Sequence, residues 1–189
     1  MSKFRASFSV LSTWESGQWE RAIKMYFKLD KFTTRQMAVG KDFHKKWENC
    51  ILKTNKLPDV FGSKELSKPK PEFKKVIQIE DWLELVGVID CIDKETIYEF
   101  KTGITTSESY ASTMQPAVYA YIAKESGFDV KKVVIYHHNQ YTNRQDMSIV
   151  WIDDELVKKA KNWVVTVSSE MHSYFEENKL YERFGLLNK

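Results

Sequence analysis

Three side chains between Gly87 and Lys101 could do chemistry together. The stretch reads GVIDCIDKETIYEFK, with Asp90 closing one β-patterned run and the triplet Glu99-Phe100-Lys101 lying inside the next. Residues i and i+2 of a strand point to one face, so Glu99 and Lys101 share a face and Phe100 points to the other. A tight connection at Asp93-Lys94 would fold residues 86–91 against 96–101 and bring Asp90 beside that pair. Two carboxylates and a lysine on one patch suit phosphodiester hydrolysis. Mg²⁺ and Mn²⁺ prefer oxygen ligands, and a neighbouring lysine can orient or deprotonate a water. Polar residues that alternate along a strand also mark an ordinary solvated face, so the triplet has to be read with its surroundings.

The elements that must position these residues follow from pattern. Residues 8–28 mix aromatic and basic side chains at helical spacing, with Ser12 or Thr13 as N-cap and Glu15 in the first turn. After a break at Phe32-Thr33, a second helix is predicted over 34–53. Pro58, Gly62, Pro69 and Pro71 make 57–71 a lysine-rich surface loop. Strands are predicted over 75–79, 83–91 and 96–101, then a Ser/Thr-rich loop over 104–112 and a helix over 113–124 that stops near Gly127. Residues 132–138, a continuous apolar run, and 146–152 read as two more strands. Asp153 or Asp154 opens a long helix to about Asn178, with acids at the positive end of its dipole.

At 189 residues the chain suits one domain spanning 1–189, with a helical start over 8–54, a catalytic core over 75–152 and a last helix over 153–178. No stretch approaches the ~20 apolar residues of a membrane span, and the opening MSKFRASFSVL lacks the apolar core of a signal peptide. The expectation is a cytoplasmic protein with no membrane partner. Cys50 and Cys91 cannot by themselves ligate an iron–sulfur cluster or a four-cysteine zinc site, and each reads as a small buried residue. A net charge of +3 permits a polyanionic partner without demanding one.

Two further pairs sit one turn apart on the helices flanking the strands: Gly40 and His44 (GKDFH), and Gln115 and Tyr119 (QPAVY). Pro116 fits only a first turn, which makes Thr113 the N-cap and puts the anion-favouring helix end near Gln115. Taken singly, His44 is a half-buried surface histidine, Tyr119 a core residue and Gly40 either a weak point in its helix or a point of close approach. Taken in order, these residues resemble the RecB-like branch of the PD-(D/E)XK nuclease superfamily. That branch carries Gly-x-x-x-His on an early helix, an aspartate ending a strand, Asp/Glu-x-Lys on the next, and Gln-x-x-x-Tyr on the following helix. Gly87 before Asp90 and the Lys101-Thr102-Gly103 turn match as well, and the likeness covers residues 7–152. The cysteine cluster of the iron–sulfur members is absent, and so is a helicase part.

The resemblance implies an α/β, restriction-endonuclease-like fold: a mixed central β-sheet flanked by helices, with a helical N-terminal part. It implies that His44, Asp90, Glu99 and the backbone carbonyl of Phe100 hold Mg²⁺ or Mn²⁺, with no iron–sulfur cluster. Lys101 would then lie beside the attacking water, Gln115 would hold Lys101 or a phosphate oxygen, and Tyr119 would pack beside the substrate or position Gln115. The implied activity is that of a metal-dependent deoxyribonuclease. It would be a stand-alone exonuclease or end-processing enzyme of DNA repair or recombination, acting on single-stranded or duplex ends. A structure-specific endonuclease or junction resolvase on the same fold is a competing reading. So is a DNA-binding protein without chemistry, although every motif position carries a competent residue.

Outside the motifs, Lys45, Lys46, Lys64, Lys68, Lys70, Lys74 and Lys75 could track phosphates. Trp14, Trp19 and Tyr26 could stack on unpaired bases, with core packing expected for at least two of them. Glu80 and Glu84 read as further carboxylates behind the site or as a solvated edge. His137 and His138 read as structural, and His172 as a surface residue.

Overall fold

A computed structural model describes residues 3–29 and 35–184. The expected break at Phe32-Thr33 lies outside them. The elements run β1 (Phe4–Ser7), α1 (Phe8–Glu15), α2 (Trp19–Tyr26), α3 (Arg35–Thr54), β2 (Lys70–Glu80), β3 (Leu83–Asp93), β4 (Thr96–Thr102), α4 (Ser107–Ala111), α5 (Gln115–Glu125), β5 (Lys132–Asn139), β6 (Arg144–Trp151), α6 (Asp154–Glu177) and α7 (Leu180–Phe184). The six strands make one mixed sheet flanked by helices, the fold class expected. β2 pairs antiparallel with β3 along nearly its whole length. The other edge of β3 is shared, with β1 parallel to its first half and β4 antiparallel to its last three residues. β5 then runs parallel to β4, and β6 antiparallel to β5.

Five local expectations need correction, each for a physical reason. Ser12 and Thr13 lie inside α1 rather than capping it. The chain starts with a strand, and Ser7 takes the N-cap position while Thr13 bonds back to the Ser9 carbonyl at 2.7 Å. A helix pattern hid β1 because its partner is far away in sequence. β2 begins at Lys70 within the expected loop; Pro71 is tolerated because β2 pairs with β3 alone among the described strands, leaving an edge that needs no donor. The Ser/Thr-rich loop contains α4, capped by the Thr106 hydroxyl, which accepts from the Ser109 amide. Met114, not Thr113, is the N-cap of α5, although the Thr113 hydroxyl still accepts from the Gln115 amide at 3.2 Å. The hairpin turn falls at Lys94-Glu95, with Lys94 in the left-handed region at φ 51°. Asp153 does cap α6, accepting from the Leu156 amide at 2.7 Å.

Each face of the sheet buries a core. Against one face pack α1, α2, α5 and α6, joining Leu11, Leu85, Ile89, Ile97, Ile122, Val164 and Phe175. On the other, α3 and the turn at Asp59–Phe61 cover Tyr98, Phe100 and Val134 with Trp47, Ile51 and Phe61. Trp14 and Tyr26 belong to the first core, with Tyr26 stacked on Phe4, whereas Trp19 is 54% exposed. His172 is not a free surface residue: its ring stacks on Phe4 and Trp82, and it meets the Tyr181 hydroxyl at 2.9 Å. Among the described residues no helix is long and apolar enough to cross a membrane.

The seam between β3 and α5 depends on one missing side chain. A Cβ on Gly87 would collide with Cδ1 of Ile122, which is fully buried on α5. Gly87→Ala is therefore expected to destabilise the chain by about 1–3 kcal/mol through overpacking. Adding Ile122→Val, which removes the clashing methyl, should recover part of the loss. Urea unfolding midpoints of the two single variants and the double variant check this; strictly additive losses would show that the two sites are not in contact.

Candidate functional site

β3 and β4 pair only at Cys91↔Tyr98, Ile92↔Ile97 and Asp93↔Thr96. One step further the register would set Asp90 opposite Glu99, and there the strands part. The Asp90 amide donates to Glu99 Oε1 at 3.3 Å, and the Phe100 amide donates to Asp90 Oδ2 at 2.8 Å. Two carboxylates thus stand in for the carbonyls of a continuing ladder and keep the freed amides paired. The alternation of β3 also slips here, since Ile89 and Ile92 both enter the α5-side core while Cys91 packs in the other. Glu99 is 2% exposed. As expected, Glu99 and Lys101 share a face, toward α5, and Phe100 faces α3, with its ring 5.4 Å from Trp47.

α3 brings His44 to the fork, its Nδ1 3.2 Å from Asp90 Oδ1. One turn earlier, Gly40 lets the helix approach β4: a Cβ there would lie 3.3 Å from Thr102 Oγ1. A residue that sequence reasoning missed completes the cluster. Glu72 on β2 offers a carboxylate oxygen that lies, with the His44 nitrogen and an Asp90 oxygen, within 4.8 Å of both. Its backbone sits at φ 49°, a left-handed conformation rare for a glutamate inside a strand and typical of strained sites. An acid following Pro69 and Pro71 gave no strand signal. Gly40, Lys41, His44, Lys45, Glu48 and Glu72 line a groove of about 570 Å³ beside the fork.

On the α5 side, Lys101 Nζ lies 2.9 Å from Glu99 Oε2 and 5.5 Å from the centre of the Tyr110 ring. Gln115 bonds to the Tyr119 hydroxyl, which lies close enough to feel the charges of Glu99 and Lys101. Glu99, not Gln115, is therefore the hydrogen-bond partner of Lys101. Tyr110 is the second residue missed, because its helix was read as a loop. Glu84 is engaged elsewhere, bonding Arg5 at 2.6 Å, and the exposed Glu80 closes β2. Lys64 bonds the Tyr98 hydroxyl at 3.2 Å and Lys70 lies over Phe128, so the lysines of this segment are partly engaged in packing.

The electrostatics are unbalanced. Burial pushes the Glu99 carboxyl up, the Asp90 charge adds to it, and Lys101 offsets this only in part. Burial would also raise Asp90, but the hydrogen bond and charge of His44, with Lys101 and the Phe100 amide, outweigh it and hold that carboxyl low. His44 responds in kind: burial disfavours its charged form, and Asp90 more than compensates. Burial, then Asp90 and Glu48, push Glu72 up. For Lys101 the penalty of burial is overcome by Glu99 and Asp90, so the side chain is a firmly held ammonium. Burial and Glu99 keep the Tyr119 hydroxyl protonated. His44, Glu72 and Asp90 each offer a ligand atom within 4.8 Å of the others, so these residues could hold a metal ion.

No family model matches the sequence, and no curated protein matches it. Solved structures match the fold. That of an alkaline exonuclease, LHK-Exo, from Laribacter hongkongensis superposes with a TM-score of 0.58 at 9% identity, over 95% of this chain and 93% of that one. The same exonuclease in complex with dAMP gives 0.50 at 10% identity, over 96% and 94%. The structure of SSO0001 gives 0.53 at 14% identity, over 88% and 78%. At these identities the likeness is one of fold.

The imbalance at Glu99 has a measurable sign. Its proton is held more tightly in the folded chain than in the unfolded one, so ionisation of Glu99 opposes folding. The opposition is absent below the unfolded value of about 4.3 and grows as pH rises through the raised folded value. In EDTA, Glu99→Gln is expected to melt higher than the parent at about pH 8, with the gap closing toward about pH 4. A gap that stays constant or widens in acid would contradict the assignment.

Proposed function

We propose that this chain is a divalent-metal-dependent deoxyribonuclease of the RecB-like PD-(D/E)XK branch, one domain over 1–189 that hydrolyses phosphodiester bonds from strand ends. The observation that carries the reading is the crowding of His44, Glu72, Asp90 and Glu99 at the fork of β3 and β4, beside the Lys101 ammonium. The fold shared with an exonuclease supports it.

One imidazole and several carboxylate oxygens form a donor set that suits Mg²⁺ and Mn²⁺. His44, Glu72 and Asp90 would hold the ion, with Glu99 and the Phe100 carbonyl as the remaining ligands implied by the family resemblance. When bound, it would neutralise charge on the phosphate and acidify a water. The chain's own side chains do the rest. Lys101 keeps its proton, so it acts as a fixed cation that orients the water and stabilises charge developing on the phosphate, not as a general base. Glu99 holds that ammonium in place. Tyr119, kept neutral and fixed by Gln115, presents a hydroxyl beside the pair. Lys41 adds positive charge to the groove wall, whereas Lys45 is paired there with Glu48 at 2.7 Å.

Digestion of end-labelled single-stranded, duplex and circular DNA tests the reading. The linear forms are expected to be degraded with Mg²⁺ or Mn²⁺ and not in EDTA, and the circle to be spared. Cutting of the circle would make the enzyme an endonuclease. Asp90→Ala should abolish hydrolysis while DNA binding survives, and Lys101→Ala should lose about 10²–10³ in rate with metal affinity near that of the parent. Full activity in Asp90→Ala would remove the mechanism.

A further inference from the structure

Past Lys101 the chain leaves the sheet and builds a second, smaller hollow. Thr102, Gly103, Ile104 and Thr105 line one part of it, and Tyr110 with the β5–β6 turn residues Gln140 and Tyr141 the rest, around about 270 Å³. Its chemistry differs from that of the His44 groove. Among the described residues lining it none is charged; they supply two aromatic rings, an isoleucine, hydroxyls and an amide. Tyr110 belongs to both places, because its ring lies 5.5 Å from Lys101 Nζ. Two large side chains stand at the rim, Ile104 at 73% exposure and Tyr141 at 59%.

The walls are braced by a buried polar network. The His137 ring, 1% exposed, bridges the Gly103 carbonyl (Nε2 to O, 3.1 Å) and the Asp146 carboxylate (Nδ1 to Oδ2, 2.7 Å). The other Asp146 oxygen accepts from the Ser107 amide at 2.6 Å, and the Ser107 hydroxyl lies 2.8 Å from that of Ser148. Both ends of the 103–107 segment are thereby tied to β5 and β6. A hollow held in this way is pre-organised, so a ligand entering it loses little to ordering the protein. One group there is unsatisfied: the side-chain oxygen of Gln140 is buried without a hydrogen-bond partner. The N–H groups on the edge of a nucleobase are donors of the kind such an acceptor lacks.

We propose that this hollow takes an unstacked nucleobase of the nucleotide next to the bond being cut, so that the favoured substrate is a single-stranded or frayed end. The proposal rests on the nuclease reading above. The Lys101 ammonium beside Tyr110 meets phosphate, and the uncharged hollow that Tyr110 also lines receives the base. Ile104 and Tyr141 form the stacking rim, and stacking tolerates any sequence because every base has a π-face.

The test uses the full chain in EDTA, where nothing is cut, with a short single-stranded oligonucleotide carrying 2-aminopurine at one end or the other, or at its middle. Binding should quench the fluorescence of one terminal probe more than that of the central one. Tyr141→Ala should relieve that quench and weaken binding about tenfold, the loss of one aromatic stacking contact, and Ile104→Ser, which removes apolar contact with the base, should weaken binding as well. With metal present, the same variants should raise KM on single strands by a similar factor with kcat close to the parent's. Unchanged quench and KM in both variants would overturn the pocket while leaving the nuclease standing. A parent that binds and quenches but never cuts would overturn hydrolysis and leave the pocket. A parent that binds no oligonucleotide would overturn both.

Discussion

Everything at the site follows from the parting of β3 and β4. Two antiparallel strands that separate must leave main-chain amides without partners, and in a sheet covered on both faces water is not there to receive them. Here the amides of Asp90 and Phe100 are met by the carboxylates of Glu99 and Asp90, each side chain serving the opposite strand. The fork is thus stabilised by the same acids that give it its chemistry. It also opens a gap between strands that the His44 ring of α3 and the Lys101–Tyr119 pair near α5 approach from opposite sides of the sheet.

Such a site works against the fold that carries it. Glu99 and Glu72 are held in surroundings that disfavour their charge, and Lys101 sits where a lysine would not go without Glu99 and Asp90. Glu72 adds a strained backbone to this. These penalties are local, and the two cores on either side offset them. The α5 core reaches the fork through Ile89, Ile92 and Ile97, and the α3 core through Trp47, Cys91 and Phe100. Buried charge gathered at one point of an otherwise well-packed chain is a usual mark of a place kept for function.

How much of this was legible in the sequence depends on distance along the chain. The period of two over Glu99–Lys101 and the one-turn spacings of Gly40–His44 and Gln115–Tyr119 are local signals, and each side chain faces the way its period dictates. That Asp90 and His44 meet depends on packing between distant segments, and motif order, not physics, suggested it. Glu72 was invisible because its role depends on a left-handed backbone next to a proline that argued for a loop. α4 was hidden by the same serines and threonines that cap it. β1 was hidden because a four-residue strand has no pattern strong enough to outweigh the helix that follows it. In each miss a tertiary contact overrode a correct local propensity.

The shared edge of β3 has one more consequence, for the order of assembly. β1 and β4 occupy the same edge at different heights, and β1 ends opposite Val86, one short stretch before Asp90 at the fork. Its partner residues are distant: Arg5, which pairs with Glu84, waits 79 residues for it. The β3–β4 hairpin, by contrast, closes over a two-residue turn. Contacts of low sequence separation form early and those of high separation late. The hairpin should therefore take its register first, with β1 docking on an edge already half claimed, so that the upper limit of the gap is set by the last strand to arrive.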